Sequence, residues 1–272
     1  MDIPEQASGY IDAHFHADDL SRVAPSELAS YRTLGVSGIA STHDPDGWNT
    51  SLALSALHGP WLLSFGIHPQ AATMEHAGFL ADLAAQGALA AIGECGFDFY
   101  GDRPECSRGG DGENAQRQAF EFQLELTVRY KLPLILHMRR ANDQLFRYAK
   151  RLAKLPAVIL HSWNGPANEA RSLLSRVPRA KFSFGTSILN GNRKAMECAA
   201  TLPLGCIVSE TDAPYQSPRV SAEPYAPLAR SYSTFADLAR IVQSIAALRE
   251  SDAHAIAIAV ASNFFEVFPH VI

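Results

Sequence analysis

Short apolar runs punctuate the chain at 9–14, 38–42, 62–66, 89–94, 133–137, 157–161, 180–184 and 206–210. Each is brief and mostly hydrophobic, as strands covered on both faces should be. Between them lie amphipathic stretches. The clearest, 116–130, places Phe120, Leu124 and Val128 on one face at four-residue spacing. Further helices are expected at 145–155 and 169–177, and 231–262 reads as closing helices with Leu238, Ile241, Ile245 and Leu248 on one stripe. Strand and helix alternating about eight times predict an α/β fold: a single (β/α)8 TIM barrel. An open doubly wound sheet is the architectural alternative.

Length fits that expectation. At 272 residues the chain suits one barrel spanning 1–272, because such barrels commonly run to about 250 residues as one unit. A 47% hydrophobic and 19% charged composition provides a large core and excludes a disordered or fibrous protein. The net charge of −5 argues against a broad cationic surface, although bound metal would supply positive charge locally. The four cysteines form no CxxC pair, and the start of the chain has no basic segment followed by an apolar one. A reducing, cytoplasmic setting is therefore expected. No apolar run approaches the roughly 20 residues of a membrane helix.

The polar residues that interrupt this pattern fall at the ends of the strands. His14 and His16 are two apart, so an extended backbone points both to the same side. Two converging imidazoles suit a borderline metal ion, but HxH alone is a weak signal. Glu94 ends the fourth predicted strand, His137 the fifth and His161 the sixth, while Glu210 and Asp212 follow the eighth. A lone histidine at a strand end is usually a hydrogen-bonded core residue. Several at successive ends, beside carboxylates that are costly to bury unpaired, point to a metal site on the carboxyl face of the barrel.

The segments Asp12-Ala-His14-Phe-His16, Gly66-Ile-His68-Pro69, Gly93-Glu94-Cys-Gly96-Phe-Asp98, His137-Met-Arg139, His161-Ser-Trp-Asn-Gly165 and Glu210-Thr-Asp212-Ala-Pro214 follow one another in order. With Gln116, Phe120, Gln123 and Asn263, they resemble the TatD family of metal-dependent deoxyribonucleases over residues 12 to 268 or so. The resemblance implies a metal-dependent hydrolase barrel of the amidohydrolase type with two neighbouring divalent ions, Zn²⁺, Mg²⁺ or Mn²⁺. His14, His16 and Asp212 would hold one ion, His137 and His161 the other, and Glu94 would bridge them. Asp212 and Glu94 carry the catalytic expectation, Asp212 as acceptor of the proton of an attacking water. Asp-Ala-Pro also reads as a helix start with Asp212 as its cap. His68 and Arg139 are expected to contact substrate; a turn histidine and a salt-bridge arginine are the plainer readings. Glu210 would orient a ligand, and Cys95 would pack on the barrel's other side.

The expected activity is hydrolysis of phosphodiester bonds by a deoxyribonuclease acting as an exonuclease on DNA. Trp163, Phe99 and Tyr100 are candidates to stack on bases, or simply to pack. No stable protein partner is expected. The same water-activating site would serve an amidohydrolase acting on a carboxylic ester, lactone or cyclic amide. A non-catalytic nucleic-acid- or protein-binding barrel would have lost ligands, and all six are present. Phe99 stands where the family commonly has tyrosine, and two stretches also depart from the family pattern. Residues 100–114 are polar and glycine-rich, fitting either a surface loop or a rim that meets substrate. After Pro214, residues 215–224 keep the prolines and Arg219 but not the usual arginine-glycine, asparagine-proline pattern.

Overall fold

The computed structural model describes residues 9–219 and 230–269. The first eight residues, on which the cytoplasmic expectation partly rests, and the 220–224 part of the stretch after Pro214 lie outside the described residues. All eight predicted runs become strands: β1 (Ile11–Phe15), β2 (Ser37–Thr42), β3 (Leu62–Phe65), β4 (Ala91–Asp98), β5 (Leu134–Arg139), β6 (Val158–Leu160), β7 (Ala180–Phe184) and β8 (Ile207–Ser209). Every strand pairs in parallel with the next, in the order β1 to β8. A doubly wound sheet would reverse its order at a switch point; this one does not. The end strands meet instead. The Asp212 N–H donates to the His14 carbonyl at 2.9 Å, the His16 N–H to the Ala213 carbonyl at 2.7 Å, and Ser209 Oγ to the Ile11 carbonyl at 2.6 Å. The result is a nearly closed (β/α)8 barrel with helices between its strands.

Two expectations need correction. β4 does not end at Glu94 but continues to Asp98. Its register slips between Ile92 and Cys95, where a bulge carries Glu94. Gly93 and Gly96 have φ of +138° and +139°, and a Cβ on either would lie 2.5 Å from the Ile135 carbonyl or 2.3 Å from that of His137. Glycine in this run permits close approach to β5 instead of ending the strand. The second correction concerns the helix Asp111–Tyr130, where Phe120 and Leu124 are buried but Val128 is 47% exposed. Four-residue steps drift about 40° each around a 3.6-residue helix, so Val128 has rotated off the core face. Gln116 and Gln123, seven apart, stay on it.

Those two glutamines tie the helix to the barrel mouth. Gln123 Oε1 accepts from the Ile67 N–H at 2.8 Å and its Nε2 donates to the Ile67 carbonyl at 3.2 Å, fixing the residue before His68. Gln116 Oε1 accepts from the Asp98 N–H at 2.9 Å, and its Nε2 donates to the Glu105 carbonyl at 2.6 Å. Gln123→Leu would leave both Ile67 backbone groups buried without partners. It should cost about 2–4 kcal/mol in chemical denaturation, one desolvation penalty for each orphaned group. A loss below 1 kcal/mol would mean that another group replaces the amide.

The closing region forms two helices, Asp237–Leu248 and Ala253–Val267, with Leu238, Ile241 and Ile245 fully buried. The four cysteines are buried and unpaired, Cys95 among them in the barrel packing. Among the described residues no helix is long and apolar enough to cross a membrane.

Candidate metal centre

At the carboxyl mouth of the barrel a cavity of about 510 Å³ opens over the Glu94 carboxylate. Glu94 lies within 4 Å of six imidazoles. Its Oε2 is 3.1 Å from His137 Nδ1, 3.5 Å from His161 Nε2 and 3.7 Å from His14 Nε2. Its Oε1 is 3.5 Å from His68 Nε2, 3.6 Å from His43 Nε2 and 3.7 Å from His16 Nε2. Asp212 completes the cluster, its Oδ1 3.5 Å from His14 Nε2 and 3.4 Å from His16 Nε2.

All six residues expected to hold metal are therefore together. Three overlapping groups have ligand atoms within 4.8 Å of one another: His14, His16 and Glu94; His14, His161 and Asp212; His68, Glu94 and His137. This grouping cuts across the two-ion division expected from the resemblance and sets His68 beside the ligands. Its Nδ1 accepts from the Gln70 N–H at 3.1 Å, so in the neutral ring the proton sits on Nε2, facing Glu94 and the cavity. His68 thus both caps the turn Pro69–Ala71 and presents an N–H donor to the site.

The rings are aimed from behind. Glu210 Oε2 lies 3.1 Å from His161 Nδ1, and Ser41 Oγ lies 3.1 Å from His14 Nδ1. Asp98 Oδ2 is 3.0 Å from His137 Nε2 and accepts from Gln70 Nε2 at 2.6 Å. Such partners fix ring orientation and raise ligand basicity. Asp212 caps no helix: its carbonyl accepts from the Tyr215 N–H at 2.6 Å, closing a turn. Gln216 Nε2, anchored to Ser162 Oγ at 2.8 Å, donates to Asp212 Oδ2 at 2.7 Å and turns Oδ1 towards the histidines. Asp12 is buried below, accepting from the Thr211 N–H at 2.9 Å and Thr211 Oγ1 at 2.6 Å, which braces β1 against the segment carrying Asp212.

His43, Gln70, Asp98 and Gln216 were given no role by sequence. His43 follows β2 directly, as His161 follows β6, so the strand-end rule could have found it. Asp98 and the two glutamines carry no such signal. Of the candidate stacking residues, Trp163 is buried against Phe182 and Phe99 is buried, while Tyr100 is 46% exposed on the rim. Arg139 lines the cavity, with Nη1 3.8 Å from Asp98 Oδ2.

The electrostatics are those of a cation site. Burial opposes charge on Glu94, yet His14, His68, His161 and the His137 contact hold it well below the usual carboxylate range. Burial and the charge of His161 push His14 well below the ordinary histidine value. Burial would also lower His16, but its Asp212 contact and the Glu94 charge raise it to about 9. Against the same burial, Glu210, Asp212 and Glu94 raise His161 to about 10. Protonated and neutral rings thus share one buried pocket, and His43 Nε2 is buried with no hydrogen-bond partner. Histidine nitrogens and carboxylate oxygens converging in this way could hold a metal ion.

Comparisons with known proteins identify the family. The family model described as TatD related DNase matches residues 11–269. A protein of Erwinia tasmaniensis named 3'-5' ssDNA/RNA exonuclease TatD is 33% identical over 87% of this chain and 90% of its own length. The metal-dependent hydrolase YjjV of Escherichia coli, whose function is uncharacterized, is 28% identical over 75% of this chain and 79% of its own. The crystal structure of YjjV, a TatD homolog, superposes with a TM-score of 0.79 at 26% identity, covering 95% of this chain and 97% of that one. The chain belongs to the TatD related DNase family.

Proposed function

We propose that the chain, acting as one barrel over 1–272, is a metal-dependent phosphodiesterase that trims single-stranded nucleic acid. The observation that carries the reading is Glu94, whose two oxygens each face three imidazoles within 3.7 Å. A carboxylate so placed can bridge two cations and offset their repulsion. His14, His16 and Asp212 would hold one divalent ion and His137 and His161 the other. When bound, the ions favour deprotonation of water and offset the charge that develops on the phosphoryl oxygens.

The chain's own groups supply the rest. Asp212 takes the proton of the attacking water at Oδ2, where one lone pair is held by Gln216 and one remains free. His68 Nε2–H and Arg139 donate to non-bridging phosphate oxygens and hold the diester in place. Glu210, Asp98 and Ser41 keep three of the imidazoles aimed. The single-strand preference and attack from the 3' end follow the name of the Erwinia relative.

The direct test is a time course on end-labelled single-stranded DNA and RNA with Mg²⁺, Mn²⁺ or Zn²⁺, beside identically purified Asp212→Asn. A metal-dependent ladder shortening from the 3' end, absent from the variant, is expected. If metal binds but no polynucleotide is cut, the reading fails and carboxylic esters become the substrates to try.

Ion loading should also release protons. His16 and His161 titrate at about 9 and about 10, so at pH 7 both rings are protonated in the ion-free protein. A ligating imidazole must be neutral, so rising pH strengthens binding and falling pH opposes it. His137, raised by its Asp98 and Glu94 contacts, adds to that release, so at least two protons are displaced and the apparent Kd should tighten at least about a hundredfold per pH unit near neutrality. Calorimetry with Mn²⁺ in buffers of differing ionisation enthalpy counts those protons; a count of zero would contradict the assignment of both rings as ligands.

A further inference from the structure

Arg139 links the cavity wall to the lip beside it. On its β4–β5 side, two consecutive arginines converge on one exposed aromatic ring. Arg139, the last residue of β5, places its guanidinium 3.9 Å from the Tyr100 ring centre, and Arg140 places its own at 4.6 Å. Neighbouring residues at a strand end normally point to opposite faces. Here Arg140 adopts a left-handed φ of +51°, an uncommon backbone for a long side chain, and both guanidiniums reach the same ring. Arg108 holds that turn, donating to the Arg140 carbonyl while paired with Asp143 at 2.8 Å.

Arg108 is spent on a carboxylate, but two other charges on this lip are not. Among the described residues Arg140 and Arg103 have no carboxylate oxygen within 4 Å, and Arg139 reaches Asp98 only at 3.8 Å. Arg103 Nη2 instead donates to Gln70 Oε1 at 3.0 Å, and the same amide's Nε2 holds Asp98 behind His137. In a chain of net charge −5, two guanidiniums without a carboxylate, together with Arg139 and one exposed tyrosine at the mouth of a phosphodiester site, form a local surface for an anionic ligand. Guanidiniums bind phosphate oxygens in pairs, and an exposed ring accepts a base of any sequence.

We propose that Tyr100, Arg140 and Arg103 form a docking subsite for the nucleotides adjoining the scissile diester, the arginines on backbone phosphates and Tyr100 under a base. The subsite rests on the phosphodiesterase reading above and names its substrate as a polynucleotide strand rather than a small diester. It also assigns the 100–114 stretch to the rim that meets substrate.

The test compares two substrates on the Mn²⁺-loaded enzyme: a single-stranded hexanucleotide and bis(p-nitrophenyl) phosphate, which offers no flanking nucleotides. The ratio of kcat/KM on the first to that on the second should fall about tenfold in Tyr100→Ala, the loss expected when a base loses its aromatic platform. Tyr100→Phe should keep the ratio. Arg140→Asn suits the left-handed turn, so its effect reports charge; it should lower the ratio and reduce the slope of log KM against log salt by about 0.7, one phosphate contact on a single strand. Unchanged ratio and salt slope, with the wild type cutting the hexanucleotide, would overturn the subsite and leave the nuclease reading intact. A wild type that cleaves the small diester but no oligonucleotide would overturn both.

Discussion

Glu94→Gln should give a protein that folds, holds at most one divalent ion per chain, and loses about 10³- to 10⁴-fold in kcat/KM. That is the several kcal/mol which metal-borne positive charge contributes to a phosphoryl transition state. The amide nearly matches the carboxylate in volume, so the barrel mouth need not repack. What changes is charge. One oxygen becomes an NH₂ group, which cannot ligate and faces either the His14, His137, His161 set or the His16, His43, His68 set. The ion-free variant should also melt lower than ion-free wild type, because His16 and His161 keep protons at neutral pH without the carboxylate that supports them. Elemental analysis after gel filtration, beside steady-state kinetics, measures both effects. Two ions per chain in the variant would rule out Glu94 as their bridge.

Much of this centre was legible in the sequence because barrels build sites from residues at strand ends, and strand ends can be read from hydrophobic runs. His14, His137 and His161 needed only that rule. Glu94 is in place for a reason the rule does not contain: Gly93 and Gly96 let β4 bulge and run on against β5, and that bulge carries the carboxylate. Read locally, the glycines signal an end to the strand; in three dimensions they permit its continuation. Asp98 was hidden because the predicted run stopped at 94 and a residue beyond a strand has no assigned direction, whereas the last residue of β4 lies beside His137. Gln70 and Gln216 belong to irregular turns where no periodicity predicts orientation. Only the folded backbone brings Gln216 back to Asp212, four residues earlier. Val128 failed for a simpler reason, the gap between a spacing of four and a period of 3.6.

Asp212→Asn should produce the other large loss, about 10²- to 10⁴-fold in kcat, the range for removal of a general base. Two roles converge on this side chain and the variant can separate them. Oδ1 faces His14 and His16 at 3.5 and 3.4 Å, as a ligand would, and Oδ2 accepts from Gln216. In the asparagine variant the Gln216 Nε2–H still requires an oxygen partner, so the new NH₂ turns towards the imidazoles and weakens the ion there. Raising the metal concentration can offset that defect by mass action. It cannot restore a proton acceptor. If Asp212 both ligates and takes the proton, saturating Mn²⁺ should recover part of the loss in KM but little in kcat. Gln216→Leu supplies the complementary case: it frees Oδ2 but removes the tether that aims Oδ1. Its metal affinity should fall by about 10- to 100-fold, the effect of losing an orienting partner behind a ligand, while kcat at saturating metal is largely kept. Full recovery of kcat in Asp212→Asn at saturating metal would reduce Asp212 to a ligand and transfer the proton to another group at the mouth.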